Sequence, residues 1–452
     1  MPLFLYHFLR NGQLLSVTRS NRCSLFGLLN PWTTYAKAAA HGALGNAELA
    51  GKYAHSLPLP FLQKRLAKYL GHTQPQLVRT LLGKPTPSNH LRIAFELVSG
   101  TSTAELPPPT FSKPNLLMQS LWGNRTAACA ADRMASINAL LQATGGAGVQ
   151  WSPEGVFKLA FTPQPVSTAS TAEEGGLVTV VVTAYNVGAL VRQSLQSLLN
   201  QTHHHLQILV ANDASTDDTH AHLVAMAQQD ARITVFNLPE NIGTYAAKAL
   251  MLRFAKGNHL VCHDADDLAA PNFIERSLHV LLTQLRKAAV ISNWFRVDEE
   301  LRIFPGAVRR FWPLLSINHS SLMLRTADLK ALGGWDVPRV AADTELFERI
   351  RTVHGKRAVV HLPEPLTIGS MRADSLMNDT HLGAVQAQAF RRRVEYREAW
   401  VDWHHACQKQ RTPPVMASPL SADRPFCVPE ALRVDPAAIA RCWDAMLDQH
   451  SL

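Results

Sequence analysis

The 452-residue chain has no CxxC pair, no apolar run approaching the ~20 residues that cross a bilayer, and no glycine-rich phosphate loop behind its first strand-like segment. Its six cysteines, Cys23, Cys129, Cys262, Cys407, Cys427 and Cys442, are scattered, which speaks against a zinc or dithiol site and marks most of them as reduced core residues. The opening MPLFLYHFLRNGQLL is apolar but short, is interrupted by Arg10, and lacks a small-residue cleavage site. It does not read as a secretory signal, so the expected location is cytoplasmic, or peripheral at the inner face of the membrane. Charged residues make up only 17% of the chain against 46% hydrophobic ones, which excludes a disordered polymer and fits two or three domains with cores of their own. Lys and Arg outnumber Asp and Glu by 44 to 35, and the resulting +9 favours anionic partners such as phosphorylated metabolites or acidic headgroups. No RNA- or DNA-binding motif accompanies that charge, so nucleic acid is not an expected partner.

Two textures divide the chain. Residues 1–165 carry Ala/Leu-rich segments such as YAKAAAHGALGNAELAGKYAH with apolar positions three and four apart, the period of helices packed on one face. We expect a mostly helical N-terminal domain there, a Pro/Ser/Thr/Gly linker over 166–176, an α/β domain over 177–385, and a helical C-terminal extension over 386–452. From 177 the run GLVTVVVTAYN is continuously apolar and β-branched, as a strand buried on both faces of a parallel sheet must be. Helix and strand patterns then alternate through LQILVAND, RITVFNL and NHLVCHDADD, which predicts a doubly wound, mostly parallel sheet flanked by helices.

Ligands of such sheets bind beyond the carboxyl ends of the strands. Three of the predicted strands end in polar residues: Thr183, Tyr185 and Asn186; Asn212 and Asp213; Asp264, Asp266 and Asp267. Three carboxylates within four positions repel one another, so the last cluster is either a solvated turn that caps the next helix or a site for something positive. Oxygen donors in this number suit a hard divalent cation held by one or two carboxylates together with ligand phosphates.

The stretches VVVTAYNVGALVRQSLQSLLNQT, ILVANDASTDDT, ENIGTYAAKAL and DADD, in this order, resemble the family 2 glycosyltransferases over about 177–375. The resemblance implies a GT-A fold and an inverting transfer of sugar from a nucleotide diphosphate, UDP being favoured, to a glycan or lipid-linked acceptor, with Mn²⁺ or Mg²⁺ as cofactor. It implies that Thr183, Ala184, Tyr185 and Asn186 wrap the nucleotide and that Asp213 meets the base. Gly243 and Lys248 would face phosphate or ribose, Asp264 the ribose or metal, and Asp266 the metal. Asp267 would complete the metal shell or cap the following helix. In GGWDVPRVAADTELFERI the family's acidic pair reads Ala342-Asp343, so one acid is missing, but Asp343 aligns with the base that takes the acceptor's proton. Glu345 is the alternative base or an acceptor contact, and simple helix capping is the third reading of this turn. Trp335 stands as an acceptor platform or a core residue. Arg372 in TIGSMRADSL resembles the arginine that offsets diphosphate charge in related enzymes, or is an ordinary surface arginine.

Three adjacent histidines in QTHHHLQ cannot all face one metal and carry no site. The basic, aromatic FRRRVEYREAWVDWHHACQKQR is either a solvated helix that packs its aromatics inward or a face for an acidic membrane surface, which would suit a lipid-linked acceptor. Two other functions fit parts of the pattern: a sugar-nucleotide-binding scaffold without turnover, given the missing acid, and a nucleotidyltransferase, against which the missing phosphate loop argues.

Overall fold

The computed structural model describes residues 8–9, 13–19, 31–111, 115–152, 157–164, 176–307 and 310–450. The expected linker, Gly176 apart, lies almost wholly outside the described residues. The chain forms two compact units, one made of 1–140, 302–316 and 371–402, the other of 141–301, 317–370 and 403–452.

The first unit is helical for the reasons its sequence suggests. Pro60 and Pro75 open the helices Pro60–Leu70 and Pro75–Leu82, where a missing N–H costs nothing, and Gly71 and Gly83 end them at positive φ. Asn46, Asn89 and Asn115 cap three others by accepting the N–H groups of Leu49, Arg92 and Met118. Leu62, Leu66 and Leu70, four apart on one helix, are fully buried. Later in this unit, the basic segment from 390 ties two of its arginines to the preceding loop. Arg392 and Arg393 donate to the carbonyls of His381, Leu382 and Gly383, while Tyr396 and Trp400 are buried. Among the described residues no helix is long and apolar enough to cross a membrane.

The second unit is organised on a sheet whose strands are β1 (Val178–Ala184), β2 (Leu206–Asn212), β3 (Ile233–Asn237), β4 (His259–Asp264), β5 (Leu268–Ala269), β6 (Ala289–Val297), β7 (Ser316–Arg325) and β8 (Val359–Ser370). The helices of use below are α1 (Leu190–Leu199), α2 (Thr219–Gln229), α3 (Thr244–Met251), α4 (Phe273–Thr283), α5 (Ala342–His354) and α6 (Pro436–His450). The hydrogen-bonded order is β3-β2-β1-β4-β7-β6-β8-β5. Strands β3, β2, β1 and β4 run parallel, β7 enters antiparallel beside β4, β6 and β8 are again parallel, and β5 closes the edge antiparallel to β8. This is the GT-A doubly wound arrangement, with two antiparallel strands, β7 and β5, that the βα alternation did not foretell.

Register places the polar strand ends at one height. Thr183 lies opposite Asp264, Ala184 opposite Asn212, and Asn212 opposite Asn237. Helix α6 belongs to this unit: Ile439, Cys442 and Met446 join the core cluster of β1, β2 and α3, and Gln449 both donates to and accepts from the backbone of Asn237. A short antiparallel ladder, Val149–Trp151 with Leu159–Phe161, precedes the sheet in a stretch expected to be helical. Its turn-forming flank, TGGAG, is a poor helix former and accounts for the difference.

One glycine ties the C-terminal residues to the sheet. Gly333 has φ +82°, and a Cβ there would stand 2.1 Å from the carbonyl oxygen of Met416, whose N–H donates to the carbonyl of Leu332. Both the left-handed backbone and the contact exclude a side chain. Gly333→Ala should lower the unfolding free energy by at least about 2 kcal/mol, measured by urea denaturation, whereas Gly355→Ala, equally left-handed but in open space, should cost only the conformational part of that.

Candidate active site

The loops after β1 and β2 are stitched together by side chains. Asn186, at φ +49°, donates its N–H to Ser215 Oγ (3.0 Å) and accepts the Thr216 N–H on Oδ1 (2.8 Å). Asp217 braces the same turn through the N–H groups of Gly188 and Thr219; burial pushes its carboxyl up, and these bonds outweigh that and hold it low. Ala184 offers its carbonyl to the Asp213 N–H, Thr183 Oγ1 meets Thr244 Oγ1 at 2.6 Å, and Tyr185 leaves its ring half exposed. All four residues of the expected nucleotide loop thus lie at the carboxyl end of β1.

Asp213, 2% exposed, spends its two oxygens on the N–H groups of Ile242 (2.8 Å) and Gly243 (2.9 Å). Gly243 is at φ +81° and begins α3, so Asp213 fixes the loop that opens this helix. Burial raises its pKa to about 6, with the two N–H groups and Arg339 opposing. Arg339 reaches the loop directly, through a 2.7 Å bond from Nη1 to Asn241 Oδ1.

The aspartates at the end of β4 are held one by one. Asp264 accepts Ser320 Oγ at 2.7 Å and stands 3.7 Å from Lys248 Nζ. Asp266 accepts Ser370 Oγ at 2.8 Å. Asp267 is buried; among the described residues its Oδ1 accepts the Ser370 N–H and its Oδ2 has no hydrogen-bond partner. Burial, then Asp266 and Asp264, drive its carboxyl well above the usual range, against the pull of Arg296. It caps no helix: the chain runs into β5, and α4 begins only at Phe273. Arg296, buried on β6 and stacked on Trp294 at 4.6 Å, provides the cation on this side. Gly369 makes room for that stack, since a Cβ there would press on the Trp294 ring at 2.7 Å. Among the described residues no three His, Cys, Asp or Glu side chains gather as a ready-made metal site. The Asp264 and Asp266 pair, oriented by serine hydroxyls, nonetheless fits a hard cation that takes its remaining ligands from phosphate and water.

Across the edge, Ala341 is held at φ +73°, a conformation that costs a non-glycine residue ~1–2 kcal/mol and turns the chain into α5. Asp343 lies on the first turn and accepts the Thr344 N–H at 2.7 Å. Lys248 connects the two sides. Burial pulls its pKa down, and neighbouring Cys262, Asp264 and Asp343 more than reverse this, so it stays charged.

Two expected acceptor contacts are occupied elsewhere. Glu345 is fully buried, with Oε2 on Arg349 (3.0 Å) and Oε1 on His404 Nε2 (3.0 Å); Arg349 also binds the carbonyls of Leu332 and Gly334. Trp335 is 5% exposed in the core. Arg372 falls in the other unit and pairs with Asp374 at 3.4 Å.

Residues 179–337 match the family model described as Glycosyl transferase family 2. The chain carries a family 2 glycosyl transferase domain. Similar proteins include an uncharacterized glycosyltransferase of Haemophilus influenzae, 37% identical over 25% of this chain and 33% of its own length. Glycosyltransferase GlyG of Streptococcus pneumoniae is 31% identical over 27% and 40%, and the putative teichuronic acid biosynthesis glycosyltransferase TuaG of Bacillus subtilis 31% over 24% and 42%. The chain thus spans less than half the length of these relatives. The glycosyl transferase match takes in the loops after β1 and β2 and all three aspartates but stops short of Asp343.

Ser320, Arg296, Arg339 and His404 carried no signal in the sequence, since each acts on a residue far away in the chain. Two outcomes follow from the buried groups. Arg349→Leu leaves Glu345 as a buried, poorly compensated carboxylate, and chemical denaturation should show a loss of about 3–5 kcal/mol. Asp213, with its folded pKa above its unfolded one, contributes stability present below pH 4 and lost as pH rises through about 6. Relative to Asp213→Asn, wild type should therefore lose about 3 kcal/mol of unfolding free energy between pH 4 and pH 7.

Proposed function

We propose that this chain transfers a sugar from a nucleotide diphosphate, UDP-linked by preference, to a hydroxyl of a glycan or lipid-linked acceptor, with inversion at the anomeric carbon. The observation that supports this most is the convergence of Asn186, Asp213, Asp264 and Asp266 on one sheet edge, with Lys248 lying in the fields of both Asp264 and Asp343.

In this reading Thr183 to Asn186 and the Asp213 loop hold the nucleoside, and Gly243 lets phosphate or ribose approach the start of α3. Asp264 and Asp266 would hold Mg²⁺ or Mn²⁺, which when bound supplies charge neutralisation to the diphosphate. Asp343 accepts the proton of the acceptor hydroxyl as its oxygen forms a bond to the anomeric carbon. The bond from that carbon to the diphosphate oxygen breaks on the opposite face, and the electron pair leaves with the nucleotide diphosphate. Lys248 offsets the charge that develops there. Ala342 in place of the family's first acid leaves acceptor recognition to other residues.

The test is release of nucleotide diphosphate from a panel of UDP-, GDP-, CDP- and dTDP-sugars, with Mn²⁺ or Mg²⁺ and with EDTA. One donor should turn over in the presence of metal and not in EDTA. Asp266→Ala and Asp343→Asn should each reduce turnover by at least about 100-fold. Donor binding without release, even with acceptors added, would instead favour a binding scaffold.

A further inference from the structure

Arg339 joins the loop that opens α3 to the segment that leads into α5. Its Nη1 donates to Asn241 Oδ1 at 2.7 Å and lies 3.4 Å from the Asn241 carbonyl oxygen. Asn241 in turn donates from Nδ2 to the carbonyl of Asp213 at 3.1 Å. The backbone of Arg339 closes over the same loop, 3.7 Å from where a Gly243 Cβ would stand, and its N–H is anchored to the carbonyl of Leu432 at 2.8 Å. Immediately after it come buried Val340, the left-handed Ala341 and the first turn that holds Asp343.

That order of residues has a mechanical consequence. A left-handed alanine persists only where its neighbours leave it no alternative. On one side α5 fixes it, through the buried Glu345, Arg349 and His404 group. On the other side the anchor is Arg339, and Arg339 is fastened to the nucleotide-side loop. We propose that Arg339 is a positioning residue that couples the two halves of the site: order in the loop 241–243, imposed by bound nucleotide, is passed through Arg339 to 340–343 and sets the carboxylate of Asp343. The inference rests on the reading of that loop as the nucleotide side and of Asp343 as the base. It makes donor binding a condition for a competent base, which would protect the donor from water until the site is assembled.

Hydrogen exchange on the full chain separates this from a structural role. Wild type, Arg339→Lys and Arg339→Met are compared with and without UDP and Mn²⁺, and exchange is followed in 241–245 and 338–345. Arg339→Met should fold, because Asp213 keeps both of its backbone partners. In wild type UDP should slow exchange in both segments. In Arg339→Met it should slow 241–245 alone, with UDP affinity within about threefold of wild type and turnover at saturating donor reduced tenfold or more; Arg339→Lys should restore part of the response in 338–345. Equal protection of 338–345 in Arg339→Met, or a loss confined to UDP affinity, overturns the coupling. If UDP protects neither segment in wild type, the nucleotide reading of the loop fails instead, and the clasp is judged without ligand. There Arg339→Met must speed exchange in both segments at once, and acceleration in only one of them refutes it.

Discussion

Like charges brought together at the end of β4 set the terms for everything around them. Half-buried Asp264 and Asp266 and buried Asp267 repel one another at short range at the close of a buried strand. The protein answers with two cations and two hydroxyls: Lys248 from α3, Arg296 from β6, Ser320 from β7 and Ser370 from β8. Each comes from a different element, so the cluster depends on the whole sheet order rather than on its own turn. The antiparallel β7 is what brings Ser320 beside Asp264, and β8 running parallel to β6 sets Gly369 opposite Arg296. A site that holds carboxylates apart with hydroxyls and offsets them from behind is poised for a cationic or cation-bridged ligand, and the diphosphate end of a sugar nucleotide is one.

Three of the six non-glycine residues with positive φ among the described residues, Asn186, Ala214 and Ala341, sit at the close of a strand or the start of a helix at the same edge. The network that enforces them is also what places Asp213, Asp217 and Asp343. Buried Arg349 shows the same division of labour beside α5. It donates to the carbonyls of Leu332 and Gly334 and to the carboxylate of Glu345, so it ties the Gly333–Gly334 turn to the helix that carries Asp343.

Much of this was legible in the chain. The β-branched run of β1 and the alternation behind it announced a doubly wound sheet, and because ligands of such sheets lie at the carboxyl ends, the polar strand ends pointed to the site. What pattern could not show is which distant residue meets which. Ser320 lies 56 positions from Asp264 and Ser370 lies 104 from Asp266, and neither serine is distinctive by itself. The expectation that Asp267 caps a helix failed because a two-residue strand intervenes, too short to leave a periodic signal. Glu345 and Trp335 had the residue types of an acceptor surface, yet burial assigned one to an ion group with Arg349 and His404 and the other to the core. A charged residue on the first turn of a helix reads alike in sequence whether it faces a ligand or the interior.

In the proposed reaction one carboxylate, Asp343, works from the face opposite the departing diphosphate, which would permit a single displacement and no covalent sugar-enzyme stage. The stereochemistry of the first product tests this most directly. A proton NMR time course of the transfer, started with a donor of known anomeric configuration, should show the new linkage appearing with the opposite configuration from the first turnovers. A first-formed product that keeps the donor's configuration would contradict the account and require a different placement of the reacting groups.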